Sequence, residues 1–254
     1  QVLVWAVDVL EISFKLILIH LPFEPSKIRE MVEEYDKVIG TVGNPTYVLG
    51  NHDMTRPTRH GELQARLAAM LLLTLRGTPF IYYGDELGMK NVPIPPDRVQ
   101  DPHIVYQTGR SRDECRTPMQ WDSTDFAGFS SVEPWLPVDA DYPNINVATQ
   151  QNDPQSMLTL YSTLLSLRKK LPAIQRGTYH QLENTQPTCL AFQRTYSEQE
   201  IIVALNFSDK PAPIQLPATN QQYEIRVSTQ LDRSETIENT IELRPFEGVI
   251  ACAL

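Results

Sequence analysis

The side chains best placed to do chemistry stand at the ends of two short β-prone runs. The first, residues 46–49, stops at Gly50 and delivers Asn51, His52 and Asp53. The second, residues 80–83, stops at Gly84 and delivers Asp85 and Glu86. A stretch with helical periodicity separates them. Two strands with a helix between, each carrying carboxylates at its C-terminal end, is how a parallel barrel presents a reactive site. Asp53 can hold a polar ligand while His52 donates to it, since loops after barrel strands carry function. Equally, the pair can form a plain Asx turn leaving a strand. Asp53 and Glu86 together offer the two carboxylates of a glycosidase. The plainer alternative, that Asp85 and Glu86 only start a loop and cap the following turn, is favoured for Asp85, and Glu86 stays open as a pocket residue.

Arg112 and Arg116 lie four residues apart beside Asp113, and Arg56 and Arg59 follow Asp53 closely. A guanidinium can clamp a site carboxylate or donate to paired sugar hydroxyls through its planar fork. Its ordinary alternative is a solvated ion pair, here with Asp113. Trp121 and Trp135 can serve as apolar sugar platforms, although aromatic residues more often simply pack.

The elements that must position these groups are legible in outline. Residues 14–20 can form a strand. Ser26 can cap a helix running to about residue 38, with Ile28, Met31, Val32 and Tyr35 as its apolar stripe. A second helix, residues 62–76, is apolar over much of its circumference through Leu63, Leu67, Met70, Leu71 and Leu75, which predicts deep burial. The run 80–83 is uninterruptedly apolar, as for a strand covered on both faces. Residues 88–151 lack periodicity, and a loop of that length is read as functional. Asp153, with Pro154 behind it, caps a helix to about residue 170 whose Leu158, Tyr161, Leu164, Leu165 and Leu167 face inward. Beyond Pro172 come short strands at 178–182, 190–195, 201–207, 223–228, 240–243 and 249–254, the rhythm of a β-sandwich.

Composition narrows the partners. A formal charge of −9 over 254 residues disfavours nucleic acid and anionic membranes. The apolar N-terminal stretch is interrupted by Asp8, Glu11 and Lys15, so it does not read as a membrane span, and it lacks the marks of a signal peptide. Cys115, Cys189 and Cys252 are odd in number and show neither a disulfide framework nor metal spacing. That usage favours a reducing compartment, hence a cytoplasmic location.

Three motifs in this order, Asn51-His52-Asp53, Tyr82-Tyr83-Gly84-Asp85-Glu86 and Arg116-Thr117-Pro118-Met119-Gln120-Trp121-Asp122, resemble the α-amylase superfamily, glycoside hydrolase family 13. Asp125-Phe126-Ala127-Gly128-Phe129 and Glu133-Pro134-Trp135 narrow the resemblance to its α-glucosidase and oligo-1,6-glucosidase branch. The resemblance implies a retaining α-glucosidase on a (β/α)8 TIM barrel followed by a β-sandwich, acting on α-glucoside oligosaccharides without a cofactor or a metal visible here. By likeness, Asp53 stabilises the transition state, His52 hydrogen-bonds the sugar, Arg112 lines the first subsite, and Arg56, Arg116 and Glu86 lie near it. The family's nucleophilic Asp and acid/base Glu belong upstream of Asp53, and neither Asp8 nor Glu11 stands in a matching motif.

The expectation is therefore the C-terminal part of the barrel, residues 1–174, followed by a sandwich, residues 175–254. The missing N-terminal part of the same barrel is its natural partner, and the chain alone is expected to be inactive. A non-catalytic relative, such as an amino-acid-transporter heavy-chain ectodomain, and a transglycosylating relative, such as a trehalose synthase or sucrose isomerase, are the alternatives.

Overall fold

The computed structural model describes residues 12–14, 17–40, 43–101, 111–183, 186–217 and 221–254. Asp8 and Glu11 lie outside them. Three parallel strands, β1 (Ile12–Phe14), β2 (Asn44–Val48) and β3 (Thr78–Phe80), form a sheet in the order β1-β2-β3. The register sets Phe14 opposite Thr46 and Thr46 opposite Thr78. Each step to the next strand passes through a helix: α2 (Pro25–Ile39) joins β1 to β2, and α3 (Glu62–Thr74) joins β2 to β3. This is the parallel crossover the periodicity implies.

Several local expectations shift. Residues 17–20 form a helical turn, α1 (Ile17–His20), and not a strand. A short continuous apolar run does not distinguish the two, and here Leu18 joins the core from a helix. Glu24, not Ser26, precedes α2, and Pro25 occupies the first turn, where its missing N–H costs nothing. The stripe Ile28, Met31, Val32 and Tyr35 is buried as expected.

Helix α3 is buried at every position from Ala65 to Thr74, whereas Leu63 is exposed. One side faces the parallel sheet; the other faces the C-terminal strands. Two arginines tie down its end. Arg168 donates to the carbonyls of Leu73, Leu75 and Gly77, and the fully buried Arg194 donates to those of Thr74, Gly177 and Thr178. Carbonyls that a helix end leaves without partners are thereby satisfied. Burial pushes the Arg194 guanidinium down to about 10.

Between α3 and β3, Gly77 has a φ of +117°, and a Cβ there would stand 2.1 Å from the carbonyl oxygen of Pro45. Backbone against backbone cannot yield cheaply. Gly77→Ala is therefore expected to destabilise the chain by about 2 kcal/mol or more in urea unfolding, from strained φ plus overlap. A loss below about 0.5 kcal/mol would show that the turn relaxes.

The run 80–83 is strand only at Phe80, where β3 ends, and it is not covered on both faces: Phe80 and Ile81 are each 38% exposed. Among the described strands β3 pairs only with β2, so its outer side lacks the neighbour that an apolar barrel strand requires.

After the long connection, α4 (Val147–Gln150), α5 (Met157–Lys170) and α6 (Pro172–Arg176) lead into the β region. The cap of α5 is Ser156, whose Oγ accepts from the Thr159 amide at 3.0 Å, in place of Asp153. Leu160, Tyr161 and Leu164 face inward, but Leu165 is 42% exposed.

A six-stranded antiparallel sheet follows, in the order β4 (Thr178–Gln181), β5 (Cys189–Tyr196), β6 (Gln199–Asn206), β11 (Gly248–Ala253), β8 (Tyr223–Ser228) and β9 (Thr236–Ile237). Against it lies a two-stranded sheet of β7 (Ala212–Gln215) and β10 (Thr240–Leu243). Pro213 hides β7 from a propensity reading, yet an edge strand tolerates proline. One face of the large sheet packs on β7 and β10 through Ile202, Ala204, Ile214, Ile225 and Ile241. Its other face, through Leu190, Phe192, Val203, Leu205 and Ile250, shares a core with α3. The parallel and antiparallel portions are thus packed into one body.

Candidate active site

The turn after β2 is built by Asn51, whose Oδ1 accepts from the Asp53 amide at 2.8 Å. Asn51, and not Asp53, closes the Asx turn, which frees the Asp53 carboxylate to project outward. That carboxylate is 41% exposed and meets three groups. Its Oδ1 accepts from Arg112 NH1 at 2.9 Å and Arg116 NH2 at 3.1 Å, and its Oδ2 lies 3.2 Å from Nε2 of His52. Arg116 also donates from Nε to the His52 carbonyl at 2.7 Å. The structure brings Asp53, His52, Arg112 and Arg116 together although 59 residues separate Asp53 from Arg112.

Arg112 does not pair with Asp113. It chelates Asp101 through Nε and NH2, a two-point contact, while NH1 reaches Asp53. Asp101 first, then Asp53, hold the guanidinium firmly charged. Asp113 is buried and accepts the amides of Gln100 and Asp101 at 2.7 and 2.9 Å. It fixes the backbone that carries Asp101. Asp101 is the functional-site residue that sequence reasoning missed; it sits in an aperiodic stretch, and only the tertiary contact identifies it.

Arg56 corrects an expectation. It is wholly buried and cannot touch a ligand. Its NH1 donates to the Tyr83 carbonyl at 2.5 Å and its NH2 to the Cys115 carbonyl at 3.0 Å. Its guanidinium carbon lies 5.0 and 4.9 Å from the ring centres of Tyr82 and Tyr83, and NH1 lies 3.6 Å from Oδ1 of Asp85. Burial pushes the Asp85 carboxyl up to about 7, with Arg56 the strongest influence in the other direction. Asp85 is thus more than a loop start, but its partner is Arg56 and not a ligand.

Arg59 donates to the carbonyls of Thr55 at 2.6 Å and Ile19 at 3.1 Å, bracing the turn after β2 against α1. Beside it, His60 stacks on Phe23 with ring centres 4.9 Å apart, and burial followed by the Arg59 charge pushes its imidazole down to about 4. The unfolded chain then takes up a proton between pH 6.5 and 4 that the folded chain refuses, so this group's share of stability is lost as pH falls through that window. Asp85 acts in the opposite sense there, because its raised folded value favours the proton-bound fold. The readout is therefore a difference: His60→Phe should gain stability relative to wild type on going from pH 7 to pH 4. Parallel pH profiles for the two proteins would contradict it.

Next to Arg116 opens an apolar cleft of about 640 Å³, lined by Tyr83, Glu86, Met119, Trp121, Phe129 and Trp135 among others. Trp121 is 49% and Trp135 76% exposed, so neither is packed away. Phe126 and Ala127 both adopt left-handed backbone, with φ of 54° and 59°, and the turn they form precedes Phe129 at the cleft wall. Strain of this kind concentrates at functional surfaces. Glu86 reaches the cleft wall from the 3-10 turn Asp85–Leu87 that follows β3, and its Oε2 is buried without a hydrogen bond among the described residues. The same residues contain no cluster of three or more His, Cys, Asp or Glu suited to a metal.

An exposed carboxylate steadied by two arginines and an adjoining imidazole thus lies beside an aromatic cleft. Residues 10–177 match the family described as alpha amylase, catalytic domain, and residues 189–250 match the alpha-amylase SusG C-terminal domain. The chain is 32% identical to an oligo-1,6-glucosidase of Parageobacillus thermoglucosidasius, an alignment covering 89% of this chain and 46% of the relative. It is 34% identical to a probable alpha-glucosidase of Rhizobium meliloti over 76% of this chain and 36% of that one. The trehalulose synthase MutB of Pseudomonas mesoacidophila superposes with a TM-score of 0.86 at 28% identity, covering 96% of this chain and 51% of the synthase. An isomaltulose synthase mutant of Erwinia rhapontici, solved with its natural substrate sucrose, gives 0.85 at 28%, covering 99% of this chain and 53% of the synthase. The chain thus spans about half the length of the relatives it matches.

Proposed function

From the premise that the chain belongs to the α-amylase family, glycoside hydrolase family 13, we propose that it forms the sugar-holding wall of a retaining α-glucosidase. The substrate would be terminal α-linked glucose of a short oligosaccharide. Asp53 would accept hydroxyls of the bound sugar and stabilise the cationic transition state, and His52 would donate to the same ring. Arg112 and Arg116 would hold Asp53 in place. Glu86 and the aromatic cleft would receive the leaving part of the substrate. The single observation that carries this reading is the Asp53 carboxylate, exposed yet fixed by Arg112, Arg116 and His52.

The same geometry argues against Asp53 as nucleophile or proton donor. Its Oδ1 is already occupied by Arg112 and Arg116, and its Oδ2 faces His52, so no oxygen is left free to attack a sugar carbon. Retaining hydrolysis needs one carboxylate to attack and another to protonate the leaving oxygen. Among the described residues Asp101 is buried and chelated by Arg112, and Glu86 stands without a second free carboxylate assigned to it. The nucleophile and the acid/base would come from the rest of the barrel, which is the chain's proposed partner. The location is proposed to be cytoplasmic, on cysteine usage alone.

A second reading, a transglycosylating isomerase, is supported by the two synthases superposed above. Both readings place a glucosyl unit against Asp53, so one experiment tests the shared part. Saturation-transfer NMR with isomaltose or sucrose is expected to give signals that Asp53→Ala and Arg112→Ala each abolish. Signals indifferent to both variants would place the sugar elsewhere and overturn the proposal.

A further inference from the structure

Three separate segments make the candidate site: the turn after β2 with His52 and Asp53, the turn after β3 with Tyr82 to Glu86, and the 3-10 turn Arg112–Cys115 with Arg116 behind it. Among the described residues no strand ladder holds the third of these beside the other two, and its arginines must nevertheless reach Asp53. The side chain that crosses all three is Arg56, which leaves the first segment and donates to one carbonyl in each of the others. It is held in that role from several sides. Its backbone amide donates to Asn91 Oδ1 at 3.0 Å, Tyr82 and Tyr83 flank the guanidinium, and Asp85 faces it. The Cys115 carbonyl that accepts from Arg56 also accepts from the Tyr82 hydroxyl at 3.2 Å. Gly84 leaves room for the crossing, since a Cβ there would lie 3.0 Å from Arg56 NH1.

We propose that Arg56 is a positioning residue that clasps the Arg112–Cys115 turn against the ends of β2 and β3, and so sets Arg112 and Arg116 on Asp53. The planar fork is required because two carbonyls on different segments must be reached from one centre; a lysine ammonium keeps the charge opposite Asp85 but not that span. The functional consequence rests on the sugar-site reading, whereas the clasp itself does not.

The chain carries its own reporter. Cys115 is buried at the end of the clasped turn, while Cys189 and Cys252 are buried in the antiparallel sheet. Labelling with a pyridyl disulfide, read residue by residue by mass spectrometry, compares local opening with opening elsewhere. In Arg56→Lys, Cys115 is expected to label at least about tenfold faster than in wild type, with Cys189 and Cys252 unchanged. Tyr82→Phe, a milder change at the same carbonyl, is expected to move Cys115 in the same direction and less far. Gly77→Ala supplies a destabilised protein with the clasp intact, so Cys115 there should keep its wild-type ratio to Cys189. Isomaltose signals should weaken in Arg56→Lys and persist in Gly77→Ala.

Equal acceleration of all three cysteines in Arg56→Lys, or an unchanged Cys115 in both Arg56→Lys and Tyr82→Phe, would overturn the clasp. Selective opening of Cys115 in Arg56→Lys, together with a wild-type chain that binds no sugar, would leave the clasp standing and remove the sugar reading.

Discussion

Arg56→Met is expected to lower the stability of the chain by about 3–5 kcal/mol, the usual cost of removing one partner from a buried ion pair. The side chain is fully buried, so solvent does not screen its contacts. Methionine fills comparable space but donates to neither the Tyr83 nor the Cys115 carbonyl, and it strands the Asp85 carboxylate. Asp85 has one escape, which is to take up a proton, and its titration near pH 7 already shows burial winning over the pull of Arg56. Without Arg56 that titration moves higher still.

The sign of the pH dependence follows. A carboxyl whose folded value exceeds its unfolded value binds a proton on folding, and the group loses stability as pH rises from the unfolded to the folded value. In wild type this loss is complete soon after pH 7; in Arg56→Met it continues beyond. The deficit of the variant should therefore grow between pH 6 and pH 8.5. Urea unfolding at both values checks it, and a deficit under about 1 kcal/mol, or one that shrinks with pH, would show that the pair contributes little.

Much of this arrangement was legible before the fold was known, for physical reasons that differ by element. The buried stripe of α2 and the near-complete burial of α3 follow from periodicity and from the density of Leu, Ala and Met. The antiparallel strands announce themselves by β-branched runs between turn residues. Residues 17–20 were open to error because a short apolar run carries no period. Strand β7 was hidden by Pro213, whose tolerance depends on lying at an edge, and that is a tertiary fact. The site divides in the same way. His52, Asp53 and Arg116 lie in recognisable motifs, Arg112 stands four residues before one, and the structure brings them together. Asp101 lies in no motif, and its importance appears only when Arg112 folds over it. Arg56 has the residue type of a ligand-binding group and the environment of a clasp. Burial decides between these, and sequence position alone does not.

The central proposal is that Asp53 steadies a glucosyl unit and that the pair that breaks the bond is not among the described residues. Glycosidic hydrolysis without both members of that pair forfeits the covalent route and the proton that expels the leaving group. Enzymes of ordinary competence exceed the uncatalysed rate by at least about 10⁶-fold, so the distinction is large on any assay. The Asp53 oxygen nearest the arginines is already committed, and Asp101 is bound to Arg112 on both of its oxygens. The most direct measurement is the hydrolysis of p-nitrophenyl α-glucoside by the purified chain alone, with Asp53→Ala assayed beside it. The account predicts release of p-nitrophenol at the buffer rate from both proteins. Robust turnover by the chain that Asp53→Ala abolishes would contradict it.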